Sequence, residues 1–76
     1  MKAEYAVEYY MDDEGGWNAR VPDLPGCFSC GDTLDETKTN VKEAIEGWIL
    51  ARRDLGLDVP KPQSYVFGAT IVELSA

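Results

Sequence analysis

Apolar and polar residues alternate along residues 2–11, where every second side chain from Ala3 to Met11 is apolar or aromatic. A period of two is typical of a β-strand with one buried side, so we predict a strand over this segment. The alternation resumes over residues 17–21, after an acidic loop at 12–16 that ends in two glycines. A short loop between two such segments predicts an antiparallel β-hairpin.

Turn residues dominate the next segment, which reads Val-Pro-Asp-Leu-Pro-Gly-Cys from Val21. Pro22 lacks a backbone donor, so strand pairing is expected to stop at about Val21. The dipeptide Pro25-Gly26 favours a tight turn, because glycine readily adopts a positive φ. We therefore predict a turn here, followed by a short third strand over residues 27–30.

A helix is predicted from Leu34 to Leu55. Thr33 and Glu36 have the spacing of a capping box, and Gly56 is a suitable left-handed stop. A stripe with three- and four-residue spacing is expected to face the core, and its members are Leu34, Thr37, Val41, Ala44, Ile45, Trp48, Arg52 and Leu55.

Residues 64–74 predict a last strand that is apolar on both faces, which favours burial on both sides. The order βββαβ then predicts an α+β fold, in which one long helix covers one face of a four-stranded mixed sheet. The uncovered face and the small core favour an interface, so we expect a homodimer or a higher homo-oligomer.

The charge balance restricts the classes of partner. Fourteen acidic residues face seven basic ones, a formal net charge of −7, which argues against direct nucleic-acid binding. It is compatible with a basic partner or simply with solubility. No apolar run approaches the ~20 residues of a membrane span, so we expect one cytoplasmic domain over residues 1–76 without membrane attachment.

The candidate chemistry is sparse. Cys27 and Cys30 have the spacing of a zinc or dithiol pair, but the sequence has no histidine and no further cysteine to complete four ligands. Positions three apart on a strand also point to opposite faces. We interpret both cysteines as packing residues, with metal bridging between subunits and redox chemistry as alternatives. No catalytic, metal or cofactor site is predicted.

The motifs Val-Pro-Asp-Leu-Pro-Gly-Cys at 21–27 and Gly-Asp-Thr-Leu-Asp-Glu at 31–36 resemble the HicB antitoxin family, as do Asn40, Glu43-Ala44-Ile45 and Trp48. The resemblance covers nearly the whole chain. It implies a reduced RNase H-like βββαβ fold, with the last strand parallel to the first and the helix as their crossover. It also implies binding and neutralisation of HicA, a small basic mRNA-cleaving toxin.

Many members of that family continue into a C-terminal DNA-binding domain, whereas this sequence stops at Ala76. Operator binding is therefore not expected of it. Two alternatives to an antitoxin stay open, namely an orphan structural or ligand-sensing module and a degenerate RNase H-like hydrolase. A hydrolase needs converging carboxylates to hold divalent metal, and the candidates on regular elements are Glu8, Glu43 and Glu73.

For partner binding, Tyr10, Tyr65 and Phe67 are candidate aromatic anchors, because buried aromatics hold protein complexes. Asp12 and its neighbours Asp13 and Glu14 are candidates for steering a cationic partner. The alternative interpretations are local core for the aromatic residues and a solvated loop for the acidic ones.

Overall fold

The computed structural model describes residues 2–62 and 70–73. Its elements follow the order β1 (Lys2–Tyr5), β2 (Glu8–Met11), β3 (Trp17–Arg20), β4 (Phe28–Gly31), α1 (Leu34–Asp54) and β5 (Thr70–Glu73). The α+β class is as predicted, and the described residues contain the one long helix that was expected. Of the predicted last strand, residues 70–73 form β5, whereas 64–69 and 74 lie outside the described residues.

The predicted strand over residues 2–11 is wrong in one respect, because it is two strands. Tyr5, Ala6 and Val7 are buried in succession, with at most 3% of each exposed. A regular strand turns consecutive side chains to opposite faces, so three in a row reach the interior only where the strand bends or changes sheet. The chain does so here, and β1 and β2 belong to different sheets.

The four-stranded mixed sheet is also wrong for the described strands. β2, β3 and β4 form a three-stranded sheet in that order, and β1 pairs with β5 in a separate two-stranded sheet. All of these pairs are antiparallel. Lys2 lies opposite Glu73 and Tyr5 opposite Thr70, so β1 and β5 do not form the parallel pair that an RNase H-like arrangement requires. Periodicity shows which face of a strand is buried but not its direction.

Helix α1 begins and ends close to the predicted positions. The Thr33 side chain accepts a hydrogen bond from the Glu36 backbone N–H at 3.1 Å, and Gly56 follows the helix with φ +70°. The buried stripe comprises Thr37, Val41, Ile45 and Ile49. Ile49 was missed by the sequence analysis, and Leu55 is 73% exposed rather than packed.

The core lies between α1 and one face of the three-stranded sheet. Residues just before β2 and in the turn between β3 and β4 also contribute to it. Its buried members are Tyr5, Val7, Ala19, Val21, Leu24, Cys27, Val41, Ile45 and Ile49. Helix and sheet approach each other closely at Gly31, where an added Cβ would lie 2.9 Å from the Thr37 backbone nitrogen. Glycine is therefore required at the end of β4 by this close approach.

Residue Tyr5 ties the first strand to the segment after the helix. Its hydroxyl donates a hydrogen bond of 2.7 Å to the carbonyl oxygen of Pro60. Burial, and secondarily the negative charge of Asp23, raise the pKa of the Tyr5 phenol, while Arg53 partly opposes this. Within the described ranges, no helix has the length and apolar character needed to cross a bilayer.

Candidate protein-binding surface

The three-stranded sheet has one face that the helix does not cover. The register places Glu8, Arg20 and Phe28 in one cross-strand row and Tyr10, Asn18 and Cys30 in the next. Side chains alternate along each strand, and Ala19 belongs to the core beneath α1, so both rows lie on the opposite side. We call these six residues the open face.

Two aromatic side chains project from the open face. Phe28 is 71% exposed and Tyr10 is 53% exposed. Both rings line the same groove, and an exposed apolar patch of neighbouring side chains often marks an interaction site. Phe28 was missed by the sequence analysis, although its position next to the buried Cys27 on a short strand would have placed it on the outer side.

Glu8 and Arg20 form an ion pair across the first row of the open face. The Arg20 Nη2–H and Nε–H groups both donate to Glu8 Oε2, at 2.7 and 3.2 Å. Both side chains are partly solvated, so the pair contributes little to stability. Its consequence is that the guanidinium of Arg20 already has a carboxylate partner.

The turn between β3 and β4 forms one side of a groove on this face. Its backbone is closed by hydrogen bonds from Val21 N–H to Cys27 C=O, from Leu24 N–H to Val21 C=O and from Cys27 N–H to Leu24 C=O. Gly26 has φ +80°, as predicted. The groove has a volume of about 320 Å³, and its lining includes Tyr10, Arg20, Pro22, Pro25 and Phe28.

The helix holds this turn in place. The indole Nε1–H of Trp48 donates a hydrogen bond of 3.0 Å to the carbonyl oxygen of Pro25. The side chain of Leu24 is fully buried within the core. The groove wall is therefore anchored from beneath by a helix side chain and a core residue.

The hairpin loop is shaped by Asp12. Its Oδ1 accepts hydrogen bonds from the backbone N–H groups of Glu14 and Gly16, both at 2.9 Å. Asp13 and Glu14 are exposed, as is Asp12 itself. An aspartate two residues before other loop amides commonly makes such bonds, so this structural role was detectable in the sequence.

One end of the sheet is acidic. Met11, Trp17 and Gly31 lie side by side in the register, which brings the hairpin loop close to the start of α1. The exposed carboxylates at this end form what we call the acidic pole, which comprises Asp12, Asp13, Glu14, Asp32, Asp35 and Glu36. Residues 9–19 and 28–37 contain no lysine or arginine.

The predicted partner-binding residues fall into two groups. Tyr10 lies on the open face, and the acidic loop at 12–14 lies at the end of the same strand. The structure thus brings these four together. Tyr65 and Phe67 lie outside the described residues.

The two cysteines differ in environment. Cys27 is buried in the core, and burial raises the pKa of its thiol. Cys30 is exposed on the open face, so the interpretation of Cys30 as a packing residue was wrong. In the described part of the chain, no group of three or more His, Cys, Asp or Glu side chains is placed to hold a metal ion.

The carboxylates considered for a hydrolase are not assembled in the described residues. Glu8 is paired with Arg20 on the open face. Glu43 is exposed on α1, which covers the other face of the sheet. Glu73 lies opposite Lys2 in the β1–β5 pair, and its side chain is outside the description.

Comparison with known proteins assigns the chain to a family. The family model for the HicB-like antitoxin of bacterial toxin–antitoxin systems matches residues 5–69. This chain belongs to the HicB-like antitoxin family. The match spans both turn motifs, the helix and the residues that form the open face.

Individual relatives of this HicB-like chain come from a phage and an archaeon. It is 48% identical over 46 residues to a 14.9 kDa protein of Haemophilus phage HP1, covering 60% of this chain and 35% of that protein. It is 36% identical over 58 residues to a UPF0150 protein of Thermoplasma acidophilum, covering 76% of this chain and 84% of the relative. The chain thus matches about a third of the phage protein's length.

Solved structures share the fold over the full length. The N-terminal domain of the Burkholderia pseudomallei antitoxin HicB is 30% identical with a TM-score of 0.72, covering 100% of this chain and 98% of that one. A chain of the HicA3 and HicB3 toxin–antitoxin complex has a TM-score of 0.68 at 22% identity, with both chains fully covered. The second likeness establishes similarity of fold alone.

Proposed function

We propose that this chain is an antitoxin that binds and neutralises a small basic HicA-type mRNA-cleaving toxin by direct protein–protein contact. In this proposal it works in the cytoplasm as one domain over residues 1–76 and has no catalytic role of its own. The family match over residues 5–69 is the main support. A chain of the same fold also occurs in the HicA3–HicB3 complex.

The charge of the chain agrees with such a partner. A net charge of −7 favours encounter with a basic protein, since complementary charge mainly raises association rates and improves specificity. The exposed aromatic side chains of Tyr10 and Phe28 offer contact area of the kind that holds complexes together. Charge complementarity and aromatic contact area are thus both available on this chain for binding a basic protein.

The proposal expects the adjacent reading frame to encode a small basic HicA-like protein, and the test is inhibition of that protein. Purified toxin should cleave mRNA, and stoichiometric addition of this chain should stop the cleavage and give a complex that co-elutes on size exclusion. The control is an unrelated acidic protein of similar size and net charge, which should not inhibit. Full cleavage in excess chain, with no complex at low salt, would overturn the proposal.

Self-association is a second part of the proposal. A small domain gains stability when a second copy extends its sheet at an edge strand and buries apolar area there, which leaves the uncovered face of the sheet available to the toxin. Light scattering at micromolar concentration should then give at least the mass of a dimer. A mass equal to the 8.4 kDa monomer would remove this part and leave the antitoxin assignment intact.

A further inference from the structure

We propose that the open face is where the basic partner docks, with Tyr10 and Phe28 in the contact and the acidic pole beside them guiding the approach. This inference rests on the proposed function and names the surface that performs it. Its starting point is a combination of three features on one side of the molecule. These are the two exposed aromatic side chains, the groove wall anchored by Trp48 and Leu24, and the negative charge of the acidic pole.

The aromatics provide the contact area. Phe28 and Tyr10 occupy neighbouring rows on the two outer strands of the sheet, with Arg20 and Asn18 of β3 between them. Both rings are more than half exposed. Desolvation of large aromatic rings typically dominates binding free energy at protein interfaces.

The surface around these rings is fixed before any partner arrives. The groove wall at Pro25 is held by the Trp48 indole, and Leu24 anchors the same turn in the core. The strands on either side are joined by regular ladders. A surface that is already ordered loses little conformational entropy on binding, which favours affinity.

The charge distribution selects a cationic partner over a second copy. The acidic pole adjoins the cross-strand row that contains Tyr10 and Asn18. Residues 9–19 and 28–37 contain no lysine or arginine that could neutralise the pole. The nearest guanidinium on the face, Arg20, is already paired with Glu8 at 2.7 Å. A second copy docked on the same face would bring two acidic poles close together, which is unfavourable.

The first arm of the experiment tests the aromatics with a matched control. Tyr10→Ala and Phe28→Ala remove exposed rings from the open face, and Leu50→Ala removes a 58% exposed leucine from α1. Isothermal titration with the purified toxin should show each aromatic variant binding at least ~10-fold more weakly than wild type. Leu50→Ala should bind like wild type, and circular dichroism should show all three variants folded.

The second arm tests the acidic pole through rates. The double variant Asp13→Asn/Glu14→Gln neutralises two exposed carboxylates of the pole, whereas the control Glu43→Gln/Asp54→Asn neutralises two exposed carboxylates of α1. We expect the first pair to lower the association rate at low salt by several-fold and to leave the dissociation rate nearly unchanged. The control pair should have a clearly smaller effect.

The outcomes separate this inference from the proposed function. Failure of wild type to bind or inhibit the toxin overturns the proposed function itself. Wild-type binding that survives both aromatic substitutions overturns only the docking surface. A wild-type dimer that Phe28→Ala converts to monomer, as measured by light scattering, would assign the face to a second copy and also overturn this inference.

Discussion

At the residue scale, Gly26 lies at the centre of the turn between β3 and β4 with φ +80°. An added Cβ would contact nothing within 4 Å, so backbone strain is the only local penalty for a side chain there. Gly26→Val should lower the free energy of unfolding by about 1–3 kcal/mol, because β-branched residues are strained at positive φ. Urea denaturation measures this change.

Gly47 provides the matched control for that substitution. It lies inside α1, and an added Cβ there also has nothing within 4 Å. Gly47→Ala should raise the free energy of unfolding by ~1 kcal/mol, since glycine in a helix interior is less favourable than alanine. An unchanged denaturation midpoint for Gly26→Val beside a stabilised Gly47→Ala would contradict the strained-turn interpretation.

The two cysteines should react at very different rates. Cys30 is exposed, while Cys27 is buried with a raised pKa, and the thiolate is the reactive form. Ellman's reagent should therefore modify Cys30 rapidly and Cys27 only as the protein opens. Cys30→Ser should remove the fast phase, and a fast phase that persists in this variant would refute the assignment.

The same burial has a consequence for stability against pH. The folded-state pKa values of Cys27 and Tyr5 are raised, so the unfolded chain loses these protons first as pH rises. The contribution of these two protonated groups to the free energy of unfolding is fully present at neutral pH. It should decline above the ordinary thiol pKa of about 8.5. Thermal melts between neutral and alkaline pH should show this decline, and Cys27→Ala should reduce it.

The conformation and contacts of a residue could be predicted from the sequence where their cause is local. The cap at Thr33 and the positive φ of Gly26 depend on neighbours within a few positions, and both were predicted. The exposure of Cys30 depends instead on which face of β4 the helix covers. Cys27 is buried, and positions three apart on a strand point to opposite faces, so Cys30 lies on the face that the helix leaves uncovered.

At the element scale, the side chain of Trp48 links α1 to the β3–β4 turn by a hydrogen bond. The Trp48 indole donates to Pro25 C=O, and the Arg52 guanidinium lies 4.9 Å from the centroid of the Trp48 ring system. Trp48→Phe keeps an aromatic ring but removes the donor. We expect a loss of about 1 kcal/mol in the free energy of unfolding.

Hydrogen exchange locates that effect. The amide of Cys27, which donates to Leu24 C=O within the turn, should exchange faster in Trp48→Phe. The control Leu50→Ala alters an exposed side chain of the same helix and should leave this amide unchanged. Equal exchange in wild type and Trp48→Phe would show that the indole does not hold the turn.

Element boundaries were predictable for the helix and less so for the strands. A cap and a glycine stop delimit α1 within the sequence itself. The break after Tyr5 was hidden because Ala6 fits an exposed position in a period of two, and only packing buries it. Strand direction was not predictable either, and the expected parallel pair of β1 with the last strand proved antiparallel.

At the scale of the whole molecule, the candidate surface depends on contacts between distant segments. The net negative charge follows from the composition, but the composition does not predict that exposed carboxylates cluster at the acidic pole. The hairpin loop and the start of α1 are far apart in sequence and meet because Met11, Trp17 and Gly31 share a register. Tyr10 and the loop acids were predicted as partner contacts, whereas the position of Asp32 beside them follows only from the pairing of β3 with β4.

The contact between Tyr5 and Pro60 spans 55 residues, and β1 pairs with β5 near the opposite end of the chain. Contacts between such distant residues require closure of a long loop, so they tend to form late in folding. On the ribosome, β1 emerges before every other described element and waits until β5 has been synthesised before it can pair. The hairpin, β4 and α1 can assemble in the meantime, because their contacts are shorter in sequence.

This order of assembly is measurable by stopped-flow kinetics. Tyr5→Phe removes the hydroxyl that reaches Pro60, and we expect faster unfolding with an almost unchanged refolding rate. Ala19→Gly, in the central strand beneath α1, should instead slow refolding. A slower refolding rate for Tyr5→Phe would mean that β1 and the segment around Pro60 meet early, and that β1 helps to nucleate the fold.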